Sequence, residues 1–107
     1  MYVMASSKEY LDFILQQLSE LDGITYKVMM GEYIIYYREK IAGGIYDNRL
    51  LIKPVKAAMS LMPTAIFELP YEGANEMLLV DNVDNKGFLT RLFVTMYDEL
   101  TTSKKKK

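Results

Sequence analysis

No cysteine and no histidine occur among the 107 residues. The first absence removes disulfides, thiolate nucleophiles and sulfur-ligated zinc, so stability must come from a core alone, as suits a reducing cytosol. The second removes the commonest metal ligand and the side chain most often used as a general base near neutral pH. Serine triads and zinc hydrolases are thereby excluded. No apolar run approaches the ~20 residues needed to span a bilayer, and the start lacks the basic-then-apolar layout of a secretory signal. Neither Gly-x4-Gly-Lys-Ser/Thr nor Gly-x-Gly-x-x-Gly occurs, so phosphate cradling has no support. A cytoplasmic protein without a membrane segment, metal or cofactor is expected.

What is present has the balance of one globular domain, with 50% apolar and 25% charged residues, and this length buries one core but not two. The formal net charge of −1 conceals an asymmetry, because four of the 13 basic residues are Lys104, Lys105, Lys106 and Lys107. Without them the body carries about −5, which repels phosphate backbones. The chain divides into a leader over 1–5, with Met4 an alternative start to Met1, a domain over 6–100, and a basic, solvated tail over 101–107.

Ser6-x-x-Glu9 has the form of a capping box. The stripe Leu11, Ile14, Leu15, Leu18 and Leu21 predicts an amphipathic helix that stops at Gly23. From Ile24 to Lys53 the pattern becomes β-branched and aromatic, which predicts a four-stranded antiparallel meander over Ile24 to Met29, Tyr33 to Arg38, Ile41 to Tyr46 and Arg49 to Lys53. The joints are Met30-Gly31-Glu32, Glu39-Lys40 and Asp47-Asn48. Two-residue hairpins at the last two place Arg38 opposite Ile41 and Tyr46 opposite Arg49. Strand alternation then builds a core wall from Ile34, Tyr36, Ile41, Ile45, Leu50 and Ile52, and a second face from Tyr33, Ile35, Tyr37, Tyr46, Arg49, Leu51 and Lys53. Gly43 and Gly44 fall opposite Tyr36 and Ile35, giving those side chains room to cover bare backbone.

Pro54 introduces a short helix that ends before Pro63 and turns Val55, Met59 and Met62 inward. A strand follows near Ile66 to Leu69, then an edge strand from Met77 to Val80. Asp84 caps a last helix carrying Phe88, Leu89, Leu92, Phe93, Met96 and Leu100, which ends near Leu100. The fold class is therefore α+β, an antiparallel sheet packed with N-terminal, middle and C-terminal helices.

Asp81 to Gly87 has the look of a calcium loop, but Val83 occupies a ligand position and Leu92 stands in place of the closing glutamate, so capping and turn formation account for it. No carboxylate pair is specified among Glu32, Glu39, Asp47, Glu68, Glu72 and Glu76. Eight methionines and nine tyrosines stand out. Met29 and Met30 suit an adaptable apolar surface, and Tyr33, Tyr37 and Tyr46, with Arg49 and Lys53, form the candidate interaction surface.

Tyr26-Lys-Val-Met-Met30-Gly31-Glu32-Tyr33-Ile-Ile-Tyr36-Tyr37, then Gly43-Gly44-Ile-Tyr46-Asp47-Asn48-Arg49-Leu-Leu-Ile-Lys53-Pro54, resembles the N-terminal domain of the TfoX/Sxy competence-regulator family. Met30, Gly31 and Glu32 occupy that family's glycine turn into a strand, and Asp47 to Lys53 its following Asp-x-x-Leu-Tyr-Leu-Lys-type strand. The resemblance spans most of residues 6 to 100. It implies a bacterial cytoplasmic α+β domain, a homodimer, and a non-enzymatic role in transcription regulation beside a regulatory protein partner.

Two other classes remain open. One is an accessory nucleic-acid binder that uses Lys104 to Lys107 for weak, salt-dependent phosphate contact. The other is a small-ligand or enzymatic site between the Met30 to Glu32 turn and the Glu68 to Glu76 loop, which requires a deep pocket with converging carboxylates.

Overall fold

In a computed structural model, which describes residues 7–100, three two-residue hairpins fold the middle of the chain into consecutive antiparallel strands. These are β1 (Ile24–Met29), β2 (Glu32–Tyr37), β3 (Lys40–Ile45) and β4 (Leu50–Ile52). Both residues of each turn have positive φ: 55° and 84° at Met30 and Gly31, 51° and 73° at Arg38 and Glu39, 57° and 56° at Asp47 and Asn48. That backbone twist matches the twist of the flanking strands.

The sheet is completed by β5 (Phe67–Glu68) and β6 (Met77–Leu79), in the order β1-β2-β3-β4-β6-β5, antiparallel throughout. The strand from Met77 is thus internal, seated between β4 and β5, where an edge position was expected. Leu78 explains the difference: it is buried and pairs with Ile52 on one side and Phe67 on the other.

Three α-helices pack on one face: α1 (Lys8–Gln17), α2 (Lys56–Leu61) and α3 (Lys86–Met96), the last running into a 3-10 turn at Tyr97–Glu99. The observed cap of α1 is Ser7, whose Oγ accepts from the Tyr10 N–H at 3.0 Å, while the Ser6 of the expected capping box lies outside the described residues. At α3 the cap is Asn85 in place of Asp84, its Oδ1 accepting from the Phe88 N–H at 3.0 Å. Neighbouring serines, and neighbouring Asp and Asn, compete for one geometric role, and the backbone that reaches an extended φ/ψ just before the helix decides between them. In α2 the buried residue is Ala58, while Met59 faces solvent, because the helix is only six residues long and turns one narrow stripe inward.

The core gathers Leu11, Ile14 and Leu18 from α1 and Leu89, Leu92, Phe93 and Met96 from α3. Ile35, Tyr37, Ile45, Leu50, Ile52, Leu78 and Val80 meet them from the sheet. Tyr37 touches both Phe93 and Tyr97, at ring-centroid distances of 6.2 Å and 5.4 Å. It is only 6% exposed.

The middle hairpin departs from the expected register. Its turn is Arg38-Glu39, so Tyr37 faces Lys40 and Tyr36 faces Ile41. The register then shifts: Ile35 pairs with Gly43 and Ile34 with Gly44, leaving Ala42 as a bulge. A shift of one residue moves every side chain of a strand to the other face. Consequently Ile45, Leu50 and Ile52 face the core as expected, whereas β2 is reversed, with Tyr33, Ile35 and Tyr37 toward the helices and Ile34 and Tyr36 away from them. Ile41, expected in the core wall, lies before the bulge opposite Tyr36 on the helix-free face, and Ala42 is buried in its place.

Candidate functional site

The sheet face without helices is formed by Thr25, Lys27 and Met29, Glu32, Ile34 and Tyr36, Ile41, Leu51, Glu68, Met77 and Leu79, with Tyr46 and Arg49 at the Asp47-Asn48 turn. The strand pairings fix this set. It is largely apolar. Leu51 is fully buried although it stands outside the helix-packed core cluster. Its strand neighbour Gly44 supplies the space that the Tyr46 ring occupies, since a Cβ at 44 would lie 2.7 Å from that ring.

The chain after β5 returns over the Tyr46 end of this face. Arg49 makes an ion pair with Glu68, donates to the Leu69 carbonyl (3.4 Å), and holds its own turn by donating from Nε to the Tyr46 carbonyl (3.0 Å). Pro70 is buried, and Tyr71 brings its ring to 6.2 Å from that of Tyr46. Between Tyr71, Tyr46 and the first hairpin lies a groove of about 450 Å³ lined by Met29, Met30, Glu32, Ile34, Tyr46 and Tyr71. Burial, then the neighbouring Tyr71, Glu32 and Tyr36, raise the pKa of the Tyr46 phenol above its ordinary value. The ring is therefore neutral at physiological pH, an amphipathic surface with an apolar body and a polar tip.

Met30 forms one wall of this groove and is 96% exposed. It holds a left-handed φ of 55° that asparagine adopts far more readily than methionine. Glu32 accepts from the Asp47 N–H at 3.2 Å, linking the first hairpin to the third turn.

The five residues expected to form one tyrosine-rich surface are not brought together. Tyr46 and Arg49 lie on the helix-free face, Tyr33 and Tyr37 lie on the helix side, and Lys53 follows the end of β4. Arg49 is committed to intramolecular ties. Of the expected joint Met30, Gly31 and Glu32, the first two form the turn and Glu32 opens β2; they lie near Tyr71 in the segment after Glu68, as the small-ligand alternative requires, but carboxylates do not converge there. Glu32 is the one acid in the lining, and Glu68 faces Arg49. Among the described residues no group of three acidic, histidine or cysteine side chains is placed to hold a metal ion, and no helix is long and apolar enough to cross a membrane. Lys104 to Lys107 lie outside the described residues. Sequence reasoning missed Tyr71 and Ile34; Tyr71, just after Pro70 in a loop with Gly73, carried no periodic signal.

The sequence is 32% identical over 80 residues to an uncharacterized 12.7 kDa protein in the trpE 5′ region of Spirochaeta aurantia, a match covering 75% of this chain and 70% of that protein. No family model matches the chain, and no solved structure matches it.

Proposed function

The chain belongs to the same family as that spirochaete protein, and we propose that this domain is a non-enzymatic interaction module that receives a partner protein on the helix-free face of its sheet, at the Met30 groove. Met30 carries the reading. A thioether side chain stands almost wholly in solvent at a hairpin position whose backbone favours asparagine or glycine. Folding alone would favour Asn-Gly there, and residues that break a local rule without a gain in stability concentrate at functional sites. A flexible, polarizable methionine beside two tyrosines is the composition of an adaptable protein-binding surface.

The resemblance to the TfoX/Sxy N-terminal domain supports placing the partner among cytoplasmic regulatory proteins. The turn that carries the resemblance, Met30 to Glu32, is also the turn that lines the groove. The test is affinity capture from extract of the source cells by wild-type protein and by Met30→Asn and Tyr71→Ser variants in parallel. The reading expects proteins held by wild type and lost from both variants, each with an unchanged circular dichroism spectrum. Equal capture by all three would remove it.

The accessory nucleic-acid reading rests on Lys104 to Lys107 against a body of opposite charge. It predicts binding that disappears with salt and with deletion of those four residues.

A further inference from the structure

The two edges of this sheet are unlike. The β5 edge is two residues long, with Pro63 before it and Pro70 after it, a blunt end of the kind that discourages strand addition. The β1 edge is six residues long, free of proline, and, among the described residues, paired on one side only.

Its hydrogen-bonding groups can be assigned. The Arg38 N–H donates to the Gly23 carbonyl at 2.8 Å, and Met29 faces Glu32 across a two-residue turn. In an antiparallel ladder the bonded residues alternate, so Gly23, Thr25, Lys27 and Met29 direct their backbone groups at β2. Ile24, Tyr26 and Val28 direct theirs outward. Among the described residues, no backbone partner on the outer side of β1 meets them.

We infer that this edge pairs with the same edge of a second copy, β1 against β1 antiparallel, about a two-fold axis through Tyr26. The free groups select the register. Placing Tyr26 opposite Tyr26 of the second copy sets Ile24 opposite Val28 and Val28 opposite Ile24, forming about six backbone hydrogen bonds, the most this edge allows. On the other face the same register places Lys27 opposite Thr25. Shifting it toward the turn puts Lys27 opposite Lys27, and directly opposed like charges are destabilising. Shifting it the other way leaves about four bonds.

Side chains favour the same alignment. Tyr26 is 40% exposed and Val28 61%, both unusual for apolar residues beside a core, and the two-fold alignment stacks them with Ile24 into one apolar row. Tyr26 already meets Tyr33 edge-on at 5.8 Å, which holds its ring beside the strand. A single strand pair with one such row is a small interface, of the size class of weak, transient contacts. The groove at Met30 belongs to a different surface, so the inference stands whether or not that groove binds a partner.

Because the chain has no cysteine, one introduced thiol reports the pairing without background. Residues facing each other at a bonded pair have Cα atoms about 5.5 Å apart, inside the range a disulfide spans. Oxidised Tyr26→Cys protein is expected to run as a covalent dimer on non-reducing gels, and Lys27→Cys, displaced from its own copy across the axis, as a monomer. In sedimentation equilibrium, wild-type mass should rise with concentration from 12.4 kDa toward twice that value. Tyr26→Pro deletes an N–H that bonds nothing within the sheet, so it should fold and remain monomeric. Wild-type protein that stays monomeric at millimolar concentration, or Tyr26→Cys that does not cross-link, would overturn the proposal. So would a Tyr26→Pro dimer.

Discussion

Tyr46 lies against Gly44, two residues back along the chain, so closely that a Cβ at 44 would stand 2.7 Å from the ring. The tyrosine fills the space its neighbour lacks and so becomes the floor of the groove, with Tyr71 above it. Gly44→Ala must displace that ring and also meets the Tyr33 carbonyl. We expect a loss of about 1 to 2 kcal/mol by urea denaturation, together with weaker partner capture.

Gly43 is less forgiving. A Cβ there meets the Leu51 carbonyl and stands 2.8 Å from the Ile52 Cα, both backbone and unable to swing aside. Gly43→Ala should cost about 3 kcal/mol, more than its neighbour. Equal losses at the two sites would contradict the close approach of β3 and β4.

Met30→Asn should stabilise the protein by about 0.5 to 1 kcal/mol, because it installs the favoured Asn-Gly pair at a turn of this twist. The same change removes a groove wall. Stability gained while binding is lost is the expected signature, readable from a urea midpoint and a capture assay on one variant.

Tyr37→Ala should destabilise by about 3 to 5 kcal/mol, since the ring packs on Phe93 and Tyr97 in the core. A surface residue would cost little. The denaturation midpoint therefore decides directly whether Tyr37 belongs to the core or to an outer contact surface.

Stability should also fall in alkali. Burial holds the Tyr46 phenol above its ordinary value of 10 in the folded protein, while in the unfolded chain it ionises near 10. Below that pH it is protonated in both states and stability is unaffected. As pH rises past about 10 the unfolded chain releases its proton first, and folding is progressively disfavoured. Tyr46→Phe should reduce this slope, leaving the part due to Tyr10, whose pKa burial also raises.

Much of the fold was legible because local chemistry agreed with the global arrangement. Ile24–Met29 coincides with its expected strand. The Asp47-Asn48 turn closes as expected, with reciprocal Tyr46 and Arg49 hydrogen bonds of 2.9 Å and 3.1 Å, because Asp and Asn tolerate positive φ. The turn at Arg38-Glu39 carries no such residue. It is set from a distance: Arg38 lies 5.3 Å and the Lys40 Nζ 4.0 Å from the Tyr97 ring centroid, and Lys40 donates to the Tyr97 carbonyl at 3.2 Å. A residue 57 positions from Lys40 therefore helps fix which pair turns the corner, and no local pattern encodes that. With the turn displaced and Ala42 bulged, the parity of β2 reversed, which is why Tyr33 and Tyr37 left the expected contact surface. The first hairpin turns at Met30 and Gly31, within the expected joint, because its position depends on its own glycine.

Methyl-detected NMR of methionine-labelled protein tests the helix-free face most directly. Proteins eluted from a wild-type capture column would be added back to the labelled domain. The account predicts shifts or broadening confined to Met29 and Met30, on the groove, while the buried Met96 signal stays unchanged. Perturbation that spares Met29 and Met30 would contradict it.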